Sequence, residues 1–441
     1  MSLNAHVIKS TIVGALGGLL FGFDTAVISG TTHALTQTYH LTPASLGITV
    51  SAALWGTVLG ATTAGIPGQR YGRRDSLRVM AVLYVISALG CAFAWNLWSL
   101  DFFRFIGGIG IGGSSVLGPM YIAELAPPAW RGRLVGTFQT NIVIGILLAY
   151  GSNLTIGAMN FGATEWRWML GVSAVPAVLF LIMLFYIPRS PRWLVMMHRE
   201  PEALTVLQLT GLEDPQAELK IISDAVAEEQ TASGSRLFSR HHRLPVFIAI
   251  TVGAFCQLSG INAVLYYLND IFALSGASKI SGDIQAVAVG AMNLVATLAA
   301  MSVIDKFGRR KLLLTGTAGL AFCLAAIAWV FYTHSHLVLL VYLLMAYIAF
   351  FAMGQGAVVW VYISEVFPTQ VRAKGQSLGS SSHWIMNAII TAVFPVLAKA
   401  SGSLPFVFFA VMMVIDFFIV LTVYPETRGA SLESLQHQLE A

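Results

Sequence analysis

The 441-residue sequence predicts an all-α membrane protein of twelve transmembrane helices, in two pseudo-symmetric six-helix halves joined by a cytoplasmic helical linker. Three observations carry this prediction. Only 10% of the residues are charged and 56% are hydrophobic, whereas roughly 25% are charged in a soluble domain. Apolar stretches of about 20 residues, enough to cross a ~30 Å hydrocarbon core, recur along the chain. Short motifs of the first half return in the second after about 240 residues, as expected of two homologous halves.

The twelve stretches run near 10–31, 46–67, 77–97, 101–122, 134–155, 168–188, 245–269, 285–304, 312–332, 337–363, 376–398 and 404–424. Lys9 precedes the first, which is longer than a signal-peptide core and lacks a small-residue cleavage site, so it reads as a retained helix. Between the sixth and seventh lies the only sizeable polar segment, with helical patterning such as Glu218 to Glu229. The chain therefore divides into a bundle at 1–188, a linker at 189–243, a second bundle at 244–427 and a short tail at 428–441.

The charges orient it. With a cytoplasmic N-terminus, all but four of the 25 lysines and arginines fall in inner loops, the exceptions being Arg104, Arg167, Lys279 and Lys399. That asymmetry follows the positive-inside rule and puts both termini in the cytoplasm. A net charge of +4 on so few charged groups cannot make a phosphate-tracking surface, which excludes nucleic acid as a partner. Cys91, Cys256 and Cys323 are far apart inside apolar runs, so neither a disulfide framework nor a paired metal motif is available. The Asn153-Leu154-Thr155 sequon lies in an apolar run, out of reach of glycosylation.

Three motifs define the repeat. Tyr71-Gly72-Arg73-Arg74 returns as Phe307-Gly308-Arg309-Arg310. Glu124 followed by Arg131 returns as Glu365 followed by Arg372, each pair with a proline after the acid, and Pro188-Arg189-Ser190-Pro191-Arg192 resembles Pro425-Glu426-Thr427-Arg428. A two-fold of this kind puts a substrate site between the halves near the midplane, opened to each side in turn. Each motif charge alone could be a solvated interfacial group. Repetition of the acid-proline-arginine pattern favours salt bridges between helix ends that bias a bistable interface.

With Phe21-Gly22-Phe23-Asp24 and Gln257-Leu258-Ser259-Gly260-Ile261-Asn262 added, the chain over its whole length resembles a sugar porter of the major facilitator superfamily. The resemblance implies the major facilitator fold and secondary active import of a monosaccharide with a proton, by alternating access. It further implies an intracellular gate of Arg73, Arg74, Glu124, Arg131, Arg309, Arg310, Glu365 and Arg372, with the linker helices as a latch. A monomer in the plasma or bacterial inner membrane is expected, with sugar and lipid as partners, no metal, and no cofactor beyond the coupling proton. Gln69 replaces a usual Asp, Arg189 a usual Glu, and Cys256 a frequent Gln.

Charges within spans are costly and are functional candidates. Asp24 and Arg104 lie roughly 11 and 6 Å from the outer ends of their spans, so they can meet in the outer half. A carboxylate beside a guanidinium stays ionised, and withdrawal of the guanidinium favours protonation. A static structural pair fits the same residues. The resemblance favours proton coupling, since passive carriers of the family usually have a neutral residue at Asp24. Asp416 in the twelfth stretch attaches to no motif.

Neutral polyols call for uncharged hydrogen-bonding groups and an aromatic face. Gln139, Gln257 and His383 sit about 12 to 18 Å from the inner ends of their helices, and Asn293 comes to a similar level. Asn262 and Tyr266 share one helix face just after Gly260, a plausible flex point, and Trp360 and Trp384 can stack on a ring. Any one of these polar groups could instead join helices to each other. By resemblance Gln139, Gln257, Asn262, Tyr266, Asn293, Trp360 and Trp384 match sugar-contacting positions, while His383 matches one usually held by Asn or Gln. A passive sugar or polyol uniporter and a transporter-like membrane sugar sensor are the alternatives, and no enzyme or nucleotide-binding motif is found.

Overall fold

The computed structural model describes residues 4–127, 130–212, 214–231, 237–239, 242–367 and 371–427. Among them all regular structure is helical, and twelve helices are long and apolar enough to cross a membrane. Spans 1 to 6 are Ala5–Gly30, Pro43–Arg70, Arg73–Ala92, Leu97–Leu125, Arg131–Ala158 and Gly162–Met183. Spans 7 to 12 are Arg243–Tyr266, Lys279–Ser302, Arg309–Thr333, Leu339–Ile363, Lys374–Ala400 and Leu404–Thr422. Three short helices, Pro191–Met196, Glu200–Leu209 and Pro215–Thr231, lie between spans 6 and 7. The first begins where the Ser190 side chain accepts from the Trp193 amide and Pro191 opens the turn, a standard start for a helix.

The described residues fall into two compact units. Unit 1 takes in residues of Met1–Asp24, Gly56–Gly145 and Gly171–Ser235, and unit 2 those of Thr25–Trp55, Ile146–Leu170 and Arg236–Ala441. Unit 1 is centred on buried Leu77, Tyr84, Ile111, Leu117, Phe180 and Trp193. A core of unit 2 includes Ile248, Val252, Leu313, Val359, Tyr362 and Tyr424. Large apolar side chains such as Phe93, Trp98, Phe322, Tyr332 and Phe418 stay exposed, which suits contact with lipid rather than water. Small residues let the helices approach: a Cβ on Gly22 would stand 1.8 Å from the Ile142 carbonyl oxygen, and one on Gly56 2.0 Å from that of Phe105.

Two spans depart from the apolar pattern. Span 6 was expected over 168–188, but its helix stops at Met183. The carbonyls beyond are taken by arginines of span 3: Arg78 donates to Leu184 and Arg74 to Ile187. Span 7 breaks at Gly260, whose φ is +83°, and again at Tyr267, where the expected helix ran to 269. No side chain fits at Gly260, because a Cβ would lie 2.3 Å from the Phe409 ring. The hydroxyl of Tyr347 donates to the Ser259 carbonyl at 2.8 Å and that of Tyr150 to the Leu265 carbonyl at 2.9 Å. In lipid, such partners are what permit a broken helix.

Gly260→Ala should therefore lower stability by about 1–3 kcal/mol, the cost of a left-handed residue with a side chain plus a clash. Thermal unfolding of the purified variant in detergent measures it, and an unchanged Tm would mean that the break does not need glycine.

Candidate functional site

Around its Gly-Arg-Arg turn, each half builds the same fixture. Gly72 and Gly308 adopt φ of +90° and +87°, a conformation that favours glycine, and each starts the next helix. The first arginine reaches an acid on the fourth span of its half: Arg73 to Glu124 at 2.8 Å, and Arg309 to Glu365 at 3.4 Å. The second arginine caps the sixth: Arg74 donates to the Ile187 carbonyl, and Arg310 to those of Val420 and Leu421. Tyr121 donates to the Pro188 carbonyl at 2.7 Å and Tyr362 to the Pro425 carbonyl at 2.6 Å.

Between these repeated contacts the charges swap sign. In the first half Arg189 bonds Asp75 at 3.1 Å, and Arg74 and Arg78 share that acid. In the second half the corresponding residues are Lys311 and Glu426, and Glu426 accepts from the Arg309 amide at 2.9 Å. Arg189, which replaces the usual Glu, thus has its own acid. Trp193 lies over Gly72 and donates from Nε1 to the Gln69 carbonyl, so position 69 serves through its backbone. Arg131 is exposed, and Glu124 pairs with Arg73 instead. The side chain of Arg372 lies outside the described residues.

Farther along unit 1, half-buried Asp24 feels the positive charge of Arg104, which is 2% exposed. Tyr84 and Cys91 are close enough to interact electrostatically with Asp24, and the Tyr84 hydroxyl is held by Ser114 at 3.0 Å. Gln139 also lies in unit 1, half-buried on span 5.

In unit 2, spans 7 and 11 bring an uncharged polar group together. Gln257 Nε2 lies 2.9 Å from His383 Nε2, and Asn262 Nδ2 donates to Gln257 Oε1 at 3.1 Å. The Trp360 ring packs at 4.8 Å from the His383 ring, tilted against it, and the Trp384 ring meets it edge-on at 5.2 Å. Trp360 is 42% exposed while Trp384 and Tyr266 are buried, so of the three Trp360 offers the free aromatic face. Asn293 is buried on span 8 beside Thr297. Asn387 belongs with this group although sequence reasoning missed it. It lies one helical turn beyond His383, is buried, and its Nδ2 has no partner among the described residues. That spacing was the available signal.

The opposite end of unit 2 ties spans 1, 5 and 6 to span 8 and the segment after span 7. Asn153 donates to the Val27 carbonyl, Ser29 to Asn269, and Asn269 to Asp283, while Lys279 pairs with Glu165. Asp270, just beyond span 7, bonds Thr32 while its Oδ2 has no partner. Burial pushes its carboxyl up to about 7.

Comparison with known proteins decides the family: a model described as "Sugar (and other) transporter" matches residues 10–439. The chain belongs to this sugar transporter family. It is 36% identical over 437 residues to the arabinose-proton symporter of Bacillus subtilis (strain 168), covering 98% of this chain and 94% of that one. It is 34% identical over 482 residues to the D-xylose-proton symporter of Escherichia coli (strain K12), covering 98% and 96%. Among solved structures, the E. coli xylose transporter in a partially occluded inward-open conformation matches with a TM-score of 0.86 at 32% identity, covering 97% of this chain and all of that one. The proton:xylose symporter bound to 6-bromo-6-deoxy-D-glucose matches at 0.82 and 32%, covering 99% of each. The family consists of transporters.

Two expectations follow. Arg73 and Glu124 are buried, with side chains 6% and 9% exposed, so Arg73→Ala leaves an unpaired acid and should destabilise the protein by about 3–5 kcal/mol, read by thermal unfolding. For Asp270, neutral when packed and ionised when released, packing should weaken as pH rises from 3.8 to about 7 and level off above that. Hydrogen exchange near Thr32 and Asp270 should rise by up to about tenfold per pH unit over that range once intrinsic exchange is subtracted, and Asp270→Asn should flatten it.

Proposed function

We propose that this protein imports a monosaccharide together with a proton by alternating access, with the Gly-Arg-Arg end facing the cytoplasm. The observation that carries the reading is Asp24 within the electrostatic reach of buried Arg104, in a chain whose relatives are sugar-proton symporters. The titratable pair belongs to unit 1 and the uncharged polar group around Gln257 to unit 2, which suits coupling by conformation.

With the outer end open, Asp24 takes up a proton, and its attraction to Arg104 is lost on neutralisation. Sugar then engages Gln257, Asn262, His383 and Asn387 of the C-terminal half, with Trp360 against the ring. Closure of the outer end is the state in which Ser29, Asn153, Asn269 and Asp283 are joined as observed. Sugar and then proton leave inward, and Asp24 returns to Arg104. The staples Arg73–Glu124 and Arg309–Glu365 lie within single halves. They keep each half rigid while the halves rock. The charge asymmetry of the loops supports cytoplasmic termini.

In proteoliposomes, Asp24→Asn should abolish accumulation driven by a pH gradient while sugar counterflow persists. Continued accumulation against the sugar gradient would remove Asp24 from the coupling. Gln257→Ala should weaken sugar binding by about 1–3 kcal/mol, because it strips a partner from buried polar groups. Titration calorimetry across pentoses and hexoses measures this and selects the sugar in the same experiment.

A further inference from the structure

Asp416, on span 12, is used by none of the steps above, and its surroundings are unusual. It is 2% exposed within a transmembrane helix, where an ionised carboxylate is costly unless matched by a cation. Among the described residues no lysine, arginine or histidine matches it. Its partners are Gln355, which donates from Nε2 at 2.8 Å, and Thr317, which donates from Oγ1 at 3.4 Å. The titratable groups that face it are Cys256 of span 7 and Tyr424 after its own helix, both acidic in character. Spans 9 and 10 meet it with Thr317 and Gln355, which do not titrate.

Gln355 is no ordinary neighbour. It sits in a π turn, Ala352–Gly356, that interrupts span 10. Such turns carry one residue more than an α turn and concentrate at functional sites. The turn lies against span 9 through two glycines, since a Cβ added to Gly316 would be 2.7 Å from the Gly354 Cα. Gln355 itself is 2% exposed, and its Oε1 has no partner. Beyond the turn, the same helix carries Trp360 and then Glu365, which pairs with Arg309. The Gln355 amide is therefore the link between a buried acid and the helix that bears an aromatic group of the sugar site.

The two protonation states of Asp416 use that amide differently. As a carboxylate it accepts from Gln355 Nε2 and from Thr317. When a proton adds to its Oδ2, the neutral acid donates, and rotation of the amide by 180° presents the acceptor Oε1 at the same place. The exchange consumes one proton and no other reactant. We propose that Asp416 is a second proton-binding carboxyl of the transporter, coupled through Gln355 to the π turn of span 10.

This rests on the reading of the chain as a proton-coupled carrier, so the test separates the two. Infrared difference spectra of the protein in lipid nanodiscs, titrated from about pH 5 to about pH 9, read the C=O stretch of protonated buried carboxyls. One titrating band should survive in Asp24→Asn and disappear in Asp416→Asn, which preserves the side chain's shape. Gln355→Met should keep that band but shift it, since the carboxyl loses its partner. In proteoliposomes, the counterflow of Asp24→Asn should still vary with pH, and the Asp24→Asn, Asp416→Asn double variant should lose that dependence. A carboxyl band pattern unchanged by Asp416→Asn, or pH-independent counterflow in Asp24→Asn alone, overturns the proposal. Gradient-driven accumulation by Asp24→Asn would refute only the role of Asp24, because the Asp416 band is read without any gradient.

Discussion

A carbonyl released from a helix inside a bilayer has no water to turn to, and most of the polar design of this protein answers that constraint. Where span 7 breaks, tyrosines from spans 10 and 5 donate to the exposed carbonyls of Ser259 and Leu265. Where spans 6 and 12 end, arginines and a tyrosine of the same half do so. The breaks are what a carrier needs in order to bend, and each long donor satisfies the broken segment from a distance. Glycine at 260 and tyrosine at 347 thus serve one purpose from different helices.

The same economy governs charge. Few charged groups are present, and those near the Gly-Arg-Arg end are used twice over. Asp75 alone serves Arg74, Arg78 and Arg189, while Glu365 holds both Arg309 and Thr427. The first half places an acid on span 3 and a base after span 6, and the second half reverses the signs. Arg189 is thereby matched by Asp75 of its own half. The sugar-type site, by contrast, is built from amides, an imidazole and indoles, whose hydrogen bonds do not compete with those ion pairs.

The amide of Gln257 shows how the site is held ready. One end meets His383 and the other meets Asn262, so its direction is set before any ligand arrives. The imidazole at 383 lets one side chain both orient Gln257 and pack against two indoles. Preorganisation of this kind lowers the ordering cost of binding.

The sequence by itself determined the span count and the six-plus-six repeat, because hydrophobic length, loop charge and motif spacing are local properties. It also pointed to Gly260 as a place to bend. The partners of Glu124 and Arg189, the early end of span 6 and the orphaned donor of Asn387 were decided only by tertiary structure. Each depends on which side chain from a distant span reaches a given carbonyl or acid, and no local pattern encodes that. The π turn at Gln355 and its bond to Asp416 belong to the same class: the sequence marks Asp416 as a charge within a span, but only packing brings Gln355 to 2.8 Å from it.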